Sequence, residues 1–266
     1  MPKNRETKSP IKNLPVRQAG QSLRNQLLNL AFDRLLTPLM IVIACFMGAA
    51  QAWIQYWRRS FSGCVILTMI FVGAVVYALW RILPALREGA QLKLGRQGEE
   101  AVGQFLDEKL RPHGYQILHD IPGDCFNLDH VVIGTSGIYT VETKTHSKPA
   151  KGTASVQYDG KQITVNGFTP DRDPVVQAKA QARWLVDLFE QSTGRKFKVQ
   201  PVVLYPGWFV EASTQWPDVW VMNEKQFPAT IPRQKPFIGE ADVHLLTYHL
   251  KLHVLAKTKE EQKKNA

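Results

Sequence analysis

Cysteine is scarce in this chain of 266 residues: Cys45, Cys64 and Cys125 are the three present, with no CxxC spacing among them. That excludes a disulfide framework and a paired-thiolate zinc site. No internal repeat runs through the sequence, which argues against a solenoid. Unbalanced charge is missing from most of the chain as well. The formal net charge is +10, yet residues 1–90 hold 11 Lys and Arg against 3 Asp and Glu, while residues 91–266 hold 22 against 20. The second part therefore lacks the cationic excess of a strong duplex binder.

What the first part has instead is apolar length. Residues 35–57 carry no charge, nor do residues 61–80, and Arg58, Arg59 and Ser60 stand between them. A helix needs about 20 mainly apolar residues to cross a bilayer. The sequence thus predicts a basic tail over 1–34, spans over 35–57 and 61–83, and a very short connecting loop at Arg58-Arg59. Lys and Arg gather before the first span and after the second (Arg81, Arg87, Lys93, Arg96). Cytoplasmic flanks are rich in these residues, so both ends are expected on the cytoplasmic side. Ala50-Gln51-Ala52 has a cleavage-site pattern, but the leader before it is long for a signal peptide.

Beyond the spans, a domain is expected over 91–210 and an extension with a closing helix over 211–266. Glu99 to Leu106 reads as a helix with its apolar stripe on Val102, Phe105, Leu106 and the stem of Lys109. On that helix Glu99 looks inward and Glu100 toward solvent. Strands are expected over 115–118, 128–133, 138–144, 199–204 and 219–222, with a second hairpin over 156–165 turning at Asp159-Gly160. A helix should start at Pro174 behind an Asp173 cap and run to about Gln191. Another is expected over 242–256, its Lys- and Glu-rich end frayed. Strands before and after helices give an α/β layer fold.

Chemistry concentrates at two neighbouring strands. Gly134-Thr135-Ser136-Gly137 is a cluster of turn formers joining Leu128-Asp129-His130-Val131-Val132-Ile133 to Ile138-Tyr139-Thr140-Val141-Glu142-Thr143-Lys144. A symmetric turn sets Ile133 opposite Ile138 and, counting back, Asp129 opposite Glu142. Alternation puts Lys144 on the same side as Glu142. Opposed residues have Cβ atoms about 4.5–5.5 Å apart, where like charges repel. Two facing carboxylates call for a cation, and a divalent metal such as Mg²⁺ with a lysine beside it answers that need.

From Gly95 to about Trp208 the chain resembles the nuclease-related domain (NERD) family of the PD-(D/E)xK nuclease-like superfamily. The matching blocks are Gly95-x-x-Gly98-Glu99, Asn127-x-Asp129-His130, Gly137-Ile138-Tyr139 with Val141-Glu142-Thr143-Lys144, and Asp173-Pro174-Val175-Val176-Gln177. Leu128 stands where the superfamily name has proline. The resemblance implies a central mixed β-sheet flanked by helices, as in restriction endonucleases, and Mg²⁺- or Mn²⁺-dependent cleavage of a nucleic-acid backbone, DNA before RNA. Asp129 and Glu142 would ligate the metal, joined by the Thr143 carbonyl and by Glu99 directly or through a water. Lys144 would hold the attacking water or stabilise the developing anion, and Gln177 would orient the site. The expected setting is the cytoplasmic face of a bacterial inner membrane. The alternative is a non-catalytic, membrane-tethered module that binds nucleic acid or protein on the same fold.

Other candidates have simpler readings. His130 points away from Asp129 and suits a satisfied core histidine. His146 follows Lys144 on the same alternation. His249 and His253 share a helix face at i and i+4, a ligand-like spacing that an amphipathic helix also explains. The lysines near the site, Lys148, Lys151 and Lys161, are either a basic rim for a substrate or a solvated sheet edge.

Overall fold

The computed structural model describes residues 16–55, 61–148, 154–212 and 218–264. The Arg58-Arg59 loop, residues 1–15 of the basic tail and Lys151 lie outside the described residues. The chain divides into two compact units, Gly20–Gln97 and a second made of residues up to Ala19 together with Gly98–Ala266.

In the first unit, α1 (Gln21–Leu30) continues through a wider turn at Ala31–Leu36 into α2 (Thr37–Ile54). Helix α3 then runs from Phe61 to Leu110. Both helices are long and apolar enough to cross a membrane. The two differ from expectation at their ends. The first begins at Gln21, inside the stretch read as a tail, and the second does not stop at residue 83 but passes through Pro84 into the Glu99 helix. Small residues form the seam within this unit. Ala49, Ala52 and Cys64 are buried, and the Cys64 thiol reaches the Ala52 carbonyl at 3.4 Å. The Trp53 indole donates to Thr68 at 2.9 Å, and Phe46 meets Phe71 with ring centroids 5.5 Å apart. Large apolar side chains point outward instead, with Met47 65%, Met69 66% and Trp80 71% exposed.

The second unit holds a five-stranded mixed sheet in the order β1-β2-β3-β6-β8. Strands β1 (Gln116–Pro122), β2 (Asn127–Gly134) and β3 (Gly137–Thr143) are antiparallel neighbours; β6 (Val199–Leu204) and β8 (Trp220–Met222) continue in parallel with β3. Ile133 does pair with Ile138, and Gly134 with Gly137, as the turn residues predict. A small separate sheet joins β4 (Ser155–Tyr158), β5 (Ile163–Val165) and β7 (Phe209–Ala212).

Helices cover both faces of the large sheet. On one, α4 (Pro174–Thr193) and α6 (Glu240–Lys264) contribute Leu185, Phe189, Leu246 and Leu250 to a core with Leu128, Val131 and Ile133. On the other, Val102, Leu106 and Leu110 of α3 and Phe227 of α5 (Gln226–Thr230) pack on Val132, Tyr139 and Val202. The α3 stripe thus runs through Leu110, and Phe105 sits at its margin with the Lys109 ammonium 5.8 Å from its ring. Strand β3 is buried along its whole length because both faces and both edges are covered. Helix α6 continues through Lys264 rather than fraying early.

Arg17, read from sequence as one of the tail's cations, is buried in this unit. Its guanidinium meets Asp120 at 3.3 Å, donates to Thr258 at 3.3 Å and also pairs with Glu261. Asp120 is itself 2% exposed and has a positive φ of 50°, which Asp tolerates better than most residues. Asn127 donates to its other oxygen at 3.2 Å.

Candidate active site

Strand pairing and one helix cap set the geometry. The β2–β3 register ends at His130 opposite Val141, and one step further brings Asp129 beside Glu142. The Thr143 N–H donates to Asp129 Oδ2 at 2.7 Å, which fixes the first carboxylate against the second strand. Glu142 is 4% exposed and Lys144 stands next to it, Nζ 2.7 Å from Glu142 Oε1. Lys144 is held at its main chain by donating to the Leu204 carbonyl at 2.8 Å, continuing the parallel β3–β6 pairing.

Helix α4 supplies the rest. Asp173 caps it, Oδ1 accepting from Val175 N–H at 2.8 Å, with Pro174 in the first turn where its missing N–H costs nothing. Gln177 then reaches the site from the first turn. Its Nε2 donates to Glu142 Oε1 at 2.6 Å, while its Oε1 accepts from Lys144 Nζ at 2.9 Å. One turn on, Gln181 donates to Glu142 Oε2 at 2.6 Å and is 1% exposed. Gln177 thus bridges Glu142 and Lys144. Gln181 escaped the sequence reading, although its i+4 offset from Gln177 places it on the same helix face.

Glu99 comes from α3, and Gly98 explains how. A Cβ on Gly98 would lie 1.8 Å from Thr145 Oγ1, so only glycine lets α3 abut the end of the Glu142-Thr143-Lys144 strand. Glu99 is half-buried and Glu100 exposed, as the helical pattern requires. The Asp129 carboxyl is pushed well above its usual range by burial, then by the charges of Glu142 and Glu99, against the lowering by the Thr143 N–H and Lys144. Among the described residues, Asp129, Glu142 and Glu99 therefore share one neighbourhood with the Lys144 ammonium. The clustered hard oxygen donors fit Mg²⁺ or Mn²⁺, which use one or two carboxylates and keep several waters. Among the described residues, no three His, Cys, Asp or Glu side chains converge into a ready cage.

His130 is buried on the opposite face of β2, as its alternation requires. Its Nδ1 lies 2.9 Å from Nδ1 of His119, whose Nε2 is 3.2 Å from the Asp107 carboxylate. The chain of bonds sets the tautomers: His119 donates to Asp107, His130 donates to His119, and the Thr143 hydroxyl donates to His130 Nε2 at 3.4 Å. Burial, and secondarily the charge of His119, lowers the His130 pKa well below its ordinary value, which keeps it neutral. This pair backs the Thr143 position from the core. His146 stacks on Tyr205 at 5.9 Å with a 12° interplanar angle. His253 bonds the Pro122 carbonyl at 2.8 Å and packs edge-on against Trp184, so its spacing from His249 reflects helix packing.

An uncharacterized protein of Bacillus anthracis is 39% identical over 57 residues, 20% of this chain, and the match spans 26% of that relative's length. No solved structure matches the chain. Residues 94–206, the segment that carries Glu99, Asp129, Glu142, Lys144 and Gln177, match the family model of the nuclease-related domain, which supports that family for this part of the chain.

Proposed function

We propose that the protein is a membrane-anchored, divalent-metal-dependent nuclease that hydrolyses phosphodiester bonds of DNA, with RNA as the second substrate. The observation that carries this reading is the Lys144–Glu142–Gln177 triangle with Asp129 across the strand pair. Asp129 and Glu142 would hold Mg²⁺ or Mn²⁺, with Glu99 through a water and the Thr143 carbonyl beside them. When bound, the ion supplies Lewis acidity and lowers the pKa of coordinated water. Lys144, already aimed at Glu142, presents a fixed positive charge where charge builds on the phosphoryl oxygens. Gln177 and Gln181 hold Glu142 from behind, so the acid does not rotate as substrate arrives. A rigid acid–amine geometry is what pre-organised catalysis requires.

The exposed apolar belts of the two long helices support the anchor, since contiguous apolar surface of this extent seeks lipid or a partner. The cytoplasmic orientation rests on the Lys and Arg of the flanks.

The test is a metal titration of the full chain in detergent against labelled single- and double-stranded DNA and RNA. Cleavage should need Mg²⁺ or Mn²⁺ and should disappear in Asp129→Ala and Lys144→Ala. One observation favours a binding-only module: both Glu142 oxygens are already engaged by side-chain donors. Nucleic-acid binding that chelator leaves intact, with no strand cleavage at any metal concentration, would support that reading and overturn the nuclease.

A further inference from the structure

A second cavity, of about 540 Å³, opens at the other end of the same strands. It lies by Ile138 at the start of β3, four residues before Glu142, or about 13 Å along the strand. Lys198, Arg233 and Lys235 line it together with Tyr139, Trp220 and Phe237. Its volume is within the range of small-molecule sites.

Two features set this cavity apart from ordinary surface. The first is unopposed charge. Lys179, Arg195 and Lys196 each pair with a carboxylate. Lys198, Arg233 and Lys235 have no carboxylate partner among the described residues, and no acid lines the cavity. The second is a displayed aromatic. Phe237 is 59% exposed, yet its backbone is pinned, with the N–H groups of Phe237 and Ile238 both donating to the Thr135 carbonyl at 2.6 and 3.1 Å. Trp220 is half-buried and backed by Tyr139, ring centroids 5.7 Å apart, so it forms a supported wall. Gln200 donates both to the Pro201 carbonyl at 3.2 Å and to that of Asp218 at 3.0 Å. Those bonds fix its amide within a lining residue of the cavity, and neither uses its side-chain oxygen, an acceptor.

Supported aromatic faces suit a planar base, three cations suit phosphate, and an acceptor suits an exocyclic amine or a ribose hydroxyl. We infer that this cavity binds a nucleoside phosphate, with the base against Phe237 and Trp220 and the phosphates on Lys198, Arg233 and Lys235. The phosphate-bearing nucleoside is either a free nucleotide or the phosphorylated end of a polynucleotide. The cavity is separate from the carboxylate site, and its occupancy does not depend on catalysis.

The experiment is calorimetry on the full chain in detergent with metal chelated, titrating ATP, AMP, adenosine, tripolyphosphate, and one oligonucleotide with and without a 5′-phosphate. ATP or the phosphorylated oligonucleotide should bind, and the stronger of the two identifies the source. Phe237→Ala should weaken that ligand about tenfold, the scale of one lost base–aromatic stack, and leave tripolyphosphate unchanged. The double variant Arg233→Ala/Lys235→Ala should weaken both ligands at least tenfold, about the effect of losing one charge-assisted contact. All three positions are exposed, so unfolding is not a confounder, and an unchanged melting temperature checks it. No binding by either phosphorylated nucleoside at millimolar concentration overturns the inference. Equal loss of tripolyphosphate and ATP in Phe237→Ala does so too.

Discussion

Asp129→Asn should stabilise the protein while abolishing its metal response. The folded state pushes the Asp129 carboxyl well above its ordinary range, because burial and the Glu142 and Glu99 charges all disfavour ionisation. A carboxyl with a raised folded pKa costs stability above that pKa, and the cost fades as pH falls toward its unfolded value. At about 5 Å and an effective dielectric of 20, one like-charge pair is worth about 3 kcal/mol. Lys144 offsets part of it, leaving a net gain of roughly 1–3 kcal/mol for the neutral amide at pH 7. Asn retains an oxygen for the Thr143 N–H, so the 2.7 Å bond survives. In a unit of this size, that gain raises the melting temperature by about 2–10 °C.

The assay is thermal unfolding of wild type and Asp129→Asn in detergent with chelator, from pH 8 to pH 4.5. The gap between them should be larger at pH 8 than at pH 4.5, shrinking as pH falls toward the ordinary carboxyl value. His130 works in the opposite direction. As a buried base with a lowered pKa, it removes stability as pH drops below about 6.5, its unfolded value. That loss occurs in both proteins and cancels in the difference. Adding Mg²⁺ at a hundred times its Kd should stabilise wild type by about 2.7 kcal/mol and leave Asp129→Asn unmoved. A variant less stable than wild type at pH 8, or equal stabilisation of both by Mg²⁺, would refute the reasoning.

Gly98→Ala should destabilise the second unit by about 1–3 kcal/mol and cut metal-dependent cleavage, since the new methyl collides with Thr145 and moves Glu99; unfolding curves and cleavage rates check both. Gln181→Leu leaves Glu142 Oε2 without its buried donor and should cost about 1–3 kcal/mol, with weakened Mg²⁺ binding by calorimetry. Ala52→Phe forces a large side chain into the seam where Cys64 approaches the main chain and should loosen the first unit, seen as faster proteolysis between residues 50 and 65.

The hairpin was legible because its information is local. Gly134 to Gly137 sets the turn, the turn sets the register, and register plus alternation put Asp129 by Glu142 and Lys144 beside it. The α4 start was legible for the same reason, since Asp173-Pro174 is a cap written in adjacent residues. What stayed hidden depends on distant pairings. Gln181 acquires meaning only when α4 lies across β3, bringing together residues 39 apart in sequence. The His119–His130 pair needs β1 beside β2 and the close approach of α3. Helix continuity from the second apolar run into Glu99 was hidden too, because the apolar run gives way to the charged stretch Arg87 to Arg96 before the Glu99 stripe begins. Gly98 permits contact with Thr145.

The Arg17 clamp bears on how the protein is cut for study. A shortened chain beginning after the apolar helices would carry Glu99 to Gln181 intact, yet it would lack the guanidinium that meets Asp120. Removing one partner of a buried ion pair costs about 3–5 kcal/mol, a large share of a typical domain's stability. Such a truncation would fail for reasons unrelated to the site, and Asp120→Asn is the repair to build into it.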